Sequence, residues 1–161
     1  MKIILASQSP ARKRLLTSLG LKFEVLPASA DESVIIDPKP SVRAKKIAKL
    51  KAETVYNEYF KNTSEDFLII AADSFVYNHG EFIGKPLDNQ EAVSILSRLS
   101  DNHHYLYSGV YLISQKNGMR RDISFYDRSK VLFRKLNKKE IEDFVKEVDV
   151  LKLAGSYHIE P

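Results

Sequence analysis

Apolar positions along the chain follow two periods, and the switches between them mark out the elements. Residues 2–5, Lys-Ile-Ile-Leu, form a short apolar run that predicts a buried first strand. A helix is predicted from Pro10 to about Leu19. Ser9 is its natural N-cap, Pro10 occupies the first helical position, where a missing N–H costs nothing, and Gly20 is placed to end it. Residues 23–27 read as a second strand, and residues 28–40, with Asp31, Glu32, Asp37 and two prolines, as a loop. A long helix is predicted over 41–60. The apolar run 67–72 has strand length and stops at Asp73, which places that aspartate at the strand's C-terminal end.

A hairpin follows, with His79-Gly80 at its turn and Gly84-Lys85-Pro86 after its second strand. Asp88 with Glu91 opens a helix reaching about Leu99, whose buried stripe is Ala92, Val93, Ile95, Leu96 and Leu99. Residues 104–115 and 120–133 predict two strands around Asn117-Gly118, a strong hairpin turn. Asn137 with Glu140 begins a last helix, to about Val148. Strands and helices interleave, yet the hairpins exclude an all-parallel sheet. The expected class is therefore mixed α/β, with a twisted mixed sheet flanked by helices.

Composition narrows the function classes. The chain has 161 residues, enough for one domain or two small lobes, with 43% hydrophobic and 29% charged residues, as in a soluble globular protein. No apolar run approaches the ~20 residues that span a bilayer, and the first residues lack the length of a secretory segment. The absence of cysteine excludes disulfides and thiolate metal sites and suits a cytoplasmic protein. A net charge of +4 favours polyanionic partners, nucleotides among them. Basic residues gather between Arg43 and Lys51, but no aromatic residues alternate with them, which argues against a nucleic-acid platform and leaves a solvated helix face as the plainer reading.

Four features carry candidate chemistry. In Ala6-Ser7-Gln8-Ser9-Pro10-Ala11-Arg12-Lys13-Arg14, a strand feeds two hydroxyls and then a helix N-terminus, whose unpaired N–H groups and partial positive charge suit a phosphate. Arg12 and Lys13 oppose the helix dipole there and so call for an anion, although an ordinary capped surface helix would show the same residues. Lys51 shares a helix face with Ile47, Val55 and Tyr59, so it either snorkels to water or points its ammonium inward. Asp73 is either a ligand-binding carboxylate at a strand end or a turn residue opening the hairpin. Lys85 sits in a rigid Gly-Lys-Pro turn within reach of a phosphate. His103 and His104 have no carboxylate at metal-binding spacing and read as exposed or structural. There is no Walker A sequence, no Gly-x-Gly-x-x-Gly run and no nucleophile elbow.

Taken in order, these segments resemble the Maf family of nucleoside triphosphate pyrophosphatases, also called septum-formation inhibitors. The resemblance runs through Ile4-Leu5-Ala6-Ser7-Gln8-Ser9-Pro10-Ala11-Arg12-Lys13, Asp31-Glu32, Ala48-Lys49-Leu50-Lys51-Ala52, Ile70-Ala71-Ala72-Asp73-Ser74, Gly80-Glu81-Phe82-Ile83-Gly84-Lys85-Pro86, Leu99-Ser100-Asp101-Asn102-His103-His104 and Ala154-Gly155-Ser156-Tyr157. It implies an elongated two-lobed architecture with a central cleft, similar to the inosine-triphosphate pyrophosphatases, and often a homodimer. It implies hydrolysis of a non-canonical or modified nucleoside triphosphate to monophosphate and pyrophosphate. Ser7, Ser9, Arg12, Lys13, Lys51 and Lys85 would hold the triphosphate. Glu32 and Asp73 would position Mg²⁺ or Mn²⁺, the hard cations that phosphate and carboxylate oxygens select. Asp73 would also activate the attacking water. Ala11, Ser74 and Glu160 fall at positions implicated in base choice, and a Glu160 carboxylate can accept two hydrogen bonds from guanine N1–H and N2–H, which leans toward a guanine-like base.

The resemblance also implies that members continue beyond the position of Pro161, so the chain reads as a single Maf-like domain, 1–161, whose C-terminal segment is either cut from this sequence or absent from the protein; absence would expose a sheet edge prone to self-association. The alternative function class is a non-catalytic regulator of septum formation that binds nucleic acid or a protein, motivated by the basic helix.

Overall fold

The computed structural model describes residues 1–158, and the expected base-choice residue Glu160 lies outside them. The strands are β1 (Lys2–Leu5), β2 (Glu24–Val25), β3 (Phe67–Asn78), β4 (Glu81–Ile83), β5 (His103–Lys116) and β6 (Met119–Leu132). The helices are α1 (Pro10–Ser18), α2 (Pro40–Val55), α3 (Asn89–Leu99) and α4 (Lys138–Glu147). The sheet order is β2-β1-β3-β5-β6, with β4 paired to β3. The pairs β1–β2 and β1–β3 are parallel and β3–β4 is antiparallel, so the sheet is mixed, as the hairpins required.

Two sequence expectations need correction. Asp73 does not end its strand, because β3 runs on to Asn78 and Asp73 lies in its middle. The apolar run stops at 72, but the backbone ladder continues through the polar residue into Phe75, Val76 and Tyr77. The long helix is regular only to Val55 and finishes in one wider, π-type turn, Tyr56–Phe60. Both hairpin turns form as their sequences demand: His79 and Gly80 have φ of 45° and 92°, and Asn117 and Gly118 have 51° and 76°.

The chain condenses into two compact units. The first comprises residues 1–73 and 108–127, and the second residues 74–107 and 128–161. In the first, alternation along β3 sends Phe67, Ile69 and Ala71 to one face, where they pack with Ile4, Tyr111 and Ile113 against Ala48, Ala52 and Val55 of α2. Helix and sheet approach closely because β5 carries Gly109 here; a Cβ on it would collide with the Ala44 backbone carbonyl.

In the second unit, Ala92, Ile95, Leu96 and Leu99 of α3 and Ile141 and Val145 of α4 bury against Val76, Ile83, Val150 and Tyr157. Both helices are capped as their sequences predict. Asp88 accepts from the Glu91 N–H at 2.8 Å, and Asn137 and Glu140 form a reciprocal capping box. His104 is buried, with Nε2 paired to the Tyr157 hydroxyl at 2.7 Å and its ring edge-on to Phe133. It is a structural histidine, one of the two readings its sequence allowed.

Candidate phosphate and metal site

The site residues of the first unit come from four segments, each placed by simple local rules. Along β3, side chains alternate, so Asp73 lies on the face of Phe67, Ile69 and Ala71 as the polar end of an apolar row. On α2, Lys51 follows Ile47 by four residues and precedes Val55 by four, within the buried stripe. These two rows face each other, and Lys51 Nζ donates to Asp73 Oδ1 at 2.7 Å. The same ammonium meets Glu32 Oε1 at 2.8 Å. Glu32 opens a single 3₁₀ turn, Glu32–Val34, that the Asp31 carboxylate caps by accepting from the Ser33 N–H at 3.0 Å. Of the two readings of Lys51, the inward one holds: its side chain is 13% exposed, against 12% for Asp73 and 48% for Glu32.

The β1–α1 junction forms the second part. Ser7, buried at the end of β1, accepts through Oγ from the Ser9 N–H at 3.2 Å and from the Arg12 guanidinium at 2.9 Å. Ser9 caps α1 loosely, accepting from the Arg12 N–H at 3.5 Å. The first turn of α1 holds no acidic residue, and Arg12 and Lys13 stand where a cation is disfavoured by the dipole. Burial lowers the Arg12 guanidinium from its ordinary pKa, and the Asp73 and Glu32 carboxylates oppose that shift. Arg12 is therefore electrostatically coupled to the carboxylates that hold Lys51.

Two carboxylates, two half-buried cations, a hydroxyl and a helix N-terminus thus converge within one unit. The carboxylate oxygens of Glu32 and Asp73 already meet at a single cationic atom, so one ion can be shared between them. No group of three or more His, Cys, Asp or Glu residues able to hold a metal occurs among the described residues. That donor set does not suit a closed structural site. It does fit Mg²⁺ or Mn²⁺, which take one or two carboxylates and complete their shell with water and substrate phosphate oxygens.

Not every expected site residue joins this cluster. Ala11 is half-buried on α1 between Pro10 and Arg12. Ser74 and Lys85 belong to the second unit. Lys85 is exposed, in a loop fastened where Gly84 O accepts from the Gly155 N–H at 2.8 Å, which joins the Gly-Lys-Pro segment to the Ala-Gly-Ser-Tyr turn. Sequence reasoning did not anticipate that Lys51 bridges Glu32 and Asp73. The signal was present: period-two alternation from Phe67 carries Asp73 onto the face that meets α2, and the fourfold spacing carries Lys51 onto the face that meets β3.

These elements define a mixed α/β protein in which two carboxylates and two cationic side chains meet in one cluster. Comparison with known proteins agrees with the order of the motifs. The description "Maf-like protein" matches residues 2–161, and the chain belongs to that family. A protein of Aquifex aeolicus named dTTP/UTP pyrophosphatase is 39% identical over 160 residues, which cover 99% of this chain and 79% of that protein. One of the same name from Agathobacter rectalis is 37% identical over 168 residues, covering 99% of this chain and 82% of that protein.

Proposed function

We propose that this chain hydrolyses a nucleoside triphosphate to the nucleoside monophosphate and pyrophosphate, with Mg²⁺ or Mn²⁺. The observation that carries the reading is the Glu32–Lys51–Asp73 bridge beside Arg12: paired carboxylates for a hard cation and paired cations for a polyphosphate, all in one cluster. Family membership supports the reaction class. Glu32 and Asp73 would hold the metal, which when bound polarises phosphate oxygens and acidifies water.

The remaining roles follow from the chain's own groups. Arg12 presents a planar fork to phosphate oxygens, and Lys13 and the N–H groups of the first turn of α1 add positive potential. Ser7 holds the Arg12 fork in place and Ser9 shapes the loop. Lys51 carries charge into the low-dielectric floor, where it offsets negative charge growing on the leaving pyrophosphate. Asp73 takes the proton of the attacking water. Lys85 would contribute a further phosphate contact from its loop. The chain would work in the cytoplasm, where nucleoside triphosphates are found, as a single Maf-like domain.

The base is the finer question. The relatives named above are dTTP/UTP pyrophosphatases, which favours a pyrimidine over the guanine-like base that Glu160 suggests. A panel of canonical and modified triphosphates with either metal, read by pyrophosphate and orthophosphate release, tests the whole reading. Release of pyrophosphate from dTTP or UTP is the expected result. Orthophosphate as first product would mean a general phosphatase, and a folded protein that releases nothing while binding DNA or RNA with steep salt dependence would mean the regulator.

A further inference from the structure

The Lys51 ammonium takes one oxygen from each carboxylate that the proposed reaction assigns to its metal: Glu32 Oε1 at 2.8 Å and Asp73 Oδ1 at 2.7 Å. Two carboxylate oxygens that converge on one cationic atom are already gathered as a cation's ligands. A hard cation drawn to them therefore meets Lys51 as a competitor for the same oxygens. The charge balance of the cluster sharpens the competition. Glu32 and Asp73 are offset by Lys51 and Arg12. A divalent cation arriving alone would leave a half-buried cluster with two positive charges in excess, which a low dielectric penalises. A triphosphate arriving with it supplies the missing negative charge and gives Lys51 a new partner.

The three side chains differ in their freedom to rearrange. Asp73 is buried in the middle of β3, a strand that lies between β1 and β5 in the sheet. Glu32 is exposed, on a turn of three residues. Lys51 rides between Ile47 and Val55 on α2, and its flexible four-carbon stem lets the ammonium move while the helix stays in place. Asp73 is thus the fixed point, and Glu32 and Lys51 are the groups that can adjust around it. All three belong to the first unit.

We propose that Lys51 is an exchangeable counterion. It holds Glu32 and Asp73 until a divalent cation enters together with a triphosphate, and it then passes from the carboxylates to phosphate oxygens. The nucleotide-free chain accordingly binds the metal weakly, and metal and triphosphate bind with positive coupling. This rests on the assignment of Glu32 and Asp73 as metal ligands made above.

Calorimetric titration of the nucleotide-free chain with Mn²⁺ tests the exchange without any turnover. K51M keeps an unbranched apolar stem and removes the ammonium, while K51Q keeps a hydrogen-bond donor and removes the charge. Both should bind Mn²⁺ about tenfold more tightly than the wild type or better, and adding D73N to either should abolish the gain. K49Q makes the same change of charge on the same helix, but Lys49 lies over the Tyr111 ring, so its Mn²⁺ affinity should match the wild type. Titrated instead with a preformed complex of Mn²⁺ and tripolyphosphate, the advantage of K51M and K51Q should vanish, because the wild type now recovers a partner for its ammonium. Circular dichroism confirms that each variant folds. Equal Mn²⁺ affinity in the wild type and both Lys51 variants overturns the proposal. So does a gain that K49Q shares, or one that persists undiminished with the tripolyphosphate complex. Pyrophosphate release by the wild type without a gain in either variant removes the counterion and leaves the reaction. A gain in both variants without pyrophosphate release from any triphosphate removes the reaction and leaves the counterion.

Discussion

The helices of the two units obey different rules. In the second unit, α3 and α4 each begin with a side-chain cap, carry glutamate in the first turn and end with Arg98 or Lys146 in the last. Every local choice favours the helix and buries an apolar stripe. In the first unit, α1 starts with Arg12 and Lys13 against its dipole and has no fully buried residue, while α2 starts without a side-chain cap and places Lys51 in its buried stripe. Broken local rules concentrate where the candidate chemistry is, and intact ones where only stability is asked. Arg12 and Lys51 cost their helices something as isolated elements; with Ser7, Asp73 and Glu32 they form a preset cluster of two cations and two carboxylates.

The largest effect expected from this contrast is at Asp73. D73N keeps the shape and a hydrogen-bond acceptor for Lys51 but removes the charge. Turnover should fall by about 10²- to 10⁴-fold, the usual range for losing a general base, while the melting temperature moves little. Steady-state pyrophosphate release beside thermal unfolding separates the two, and an unchanged rate would refute the assignment. Next is G109A. The new methyl meets the Ala44 carbonyl and must push α2 off β5, at a cost of about 1–3 kcal/mol. Because α2 carries Lys51, turnover should fall together with stability, an outcome that a purely structural contact in the second unit would not give.

Much of this was legible from sequence, for identifiable reasons. Caps, turns and alternation are local, so Ser9, Asp88, Asn137 and the Asn117-Gly118 turn placed their elements to within a residue or two. Asp73 was misplaced because a polar residue on the buried face looks, from hydropathy alone, like the end of a strand; the ladder through it depends on its backbone and on neighbours far away in sequence. The Lys51 bridge required knowing that α2 packs across β3, a tertiary fact that Gly109 makes possible from yet another strand. The site roles of Lys51 and Asp73 came from resemblance; the residues alone left each with a structural alternative.

The second unit supplies the smaller tests. N137A removes the α4 cap and should cost about 1 kcal/mol, read as a lower denaturant midpoint. Its kcat should stay put, because α4 contributes nothing to the charged cluster. A fall in kcat out of proportion to the loss of folded protein would break the contrast between helices that carry the charged cluster and helices that only support the fold.

The smallest expected effect depends on pH. In the first unit the buried polar residues of the cluster, Ser7 and Asp73, are hydrogen-bonded, whereas in the second His104 Nδ1 and Ser156 Oγ are buried without hydrogen-bond partners. A neutral His104 tolerates this, since Nε2 has the Tyr157 hydroxyl. An imidazolium would bury an unsatisfied charged N–H, and both burial and neighbouring His103 lower the His104 pKa below the ordinary 6.5. Tyr157, pushed up to about 12 by burial, stays protonated throughout the relevant range. The unfolded chain therefore takes up a proton below pH 6.5 that the folded chain refuses. The stability due to His104 is fully present above 6.5, falls as pH drops through that value, and levels off once the folded group also protonates. Melting temperatures of the wild type and H104N at pH 8 and at pH 5.5, chosen as about one unit below the reference value, isolate this effect from the carboxylates and other histidines common to both. H104N should be the less stable at pH 8, and the gap should narrow at the lower pH. A gap of constant size would mean that His104 binds protons equally in both states and that the unsatisfied Nδ1 carries no energetic consequence.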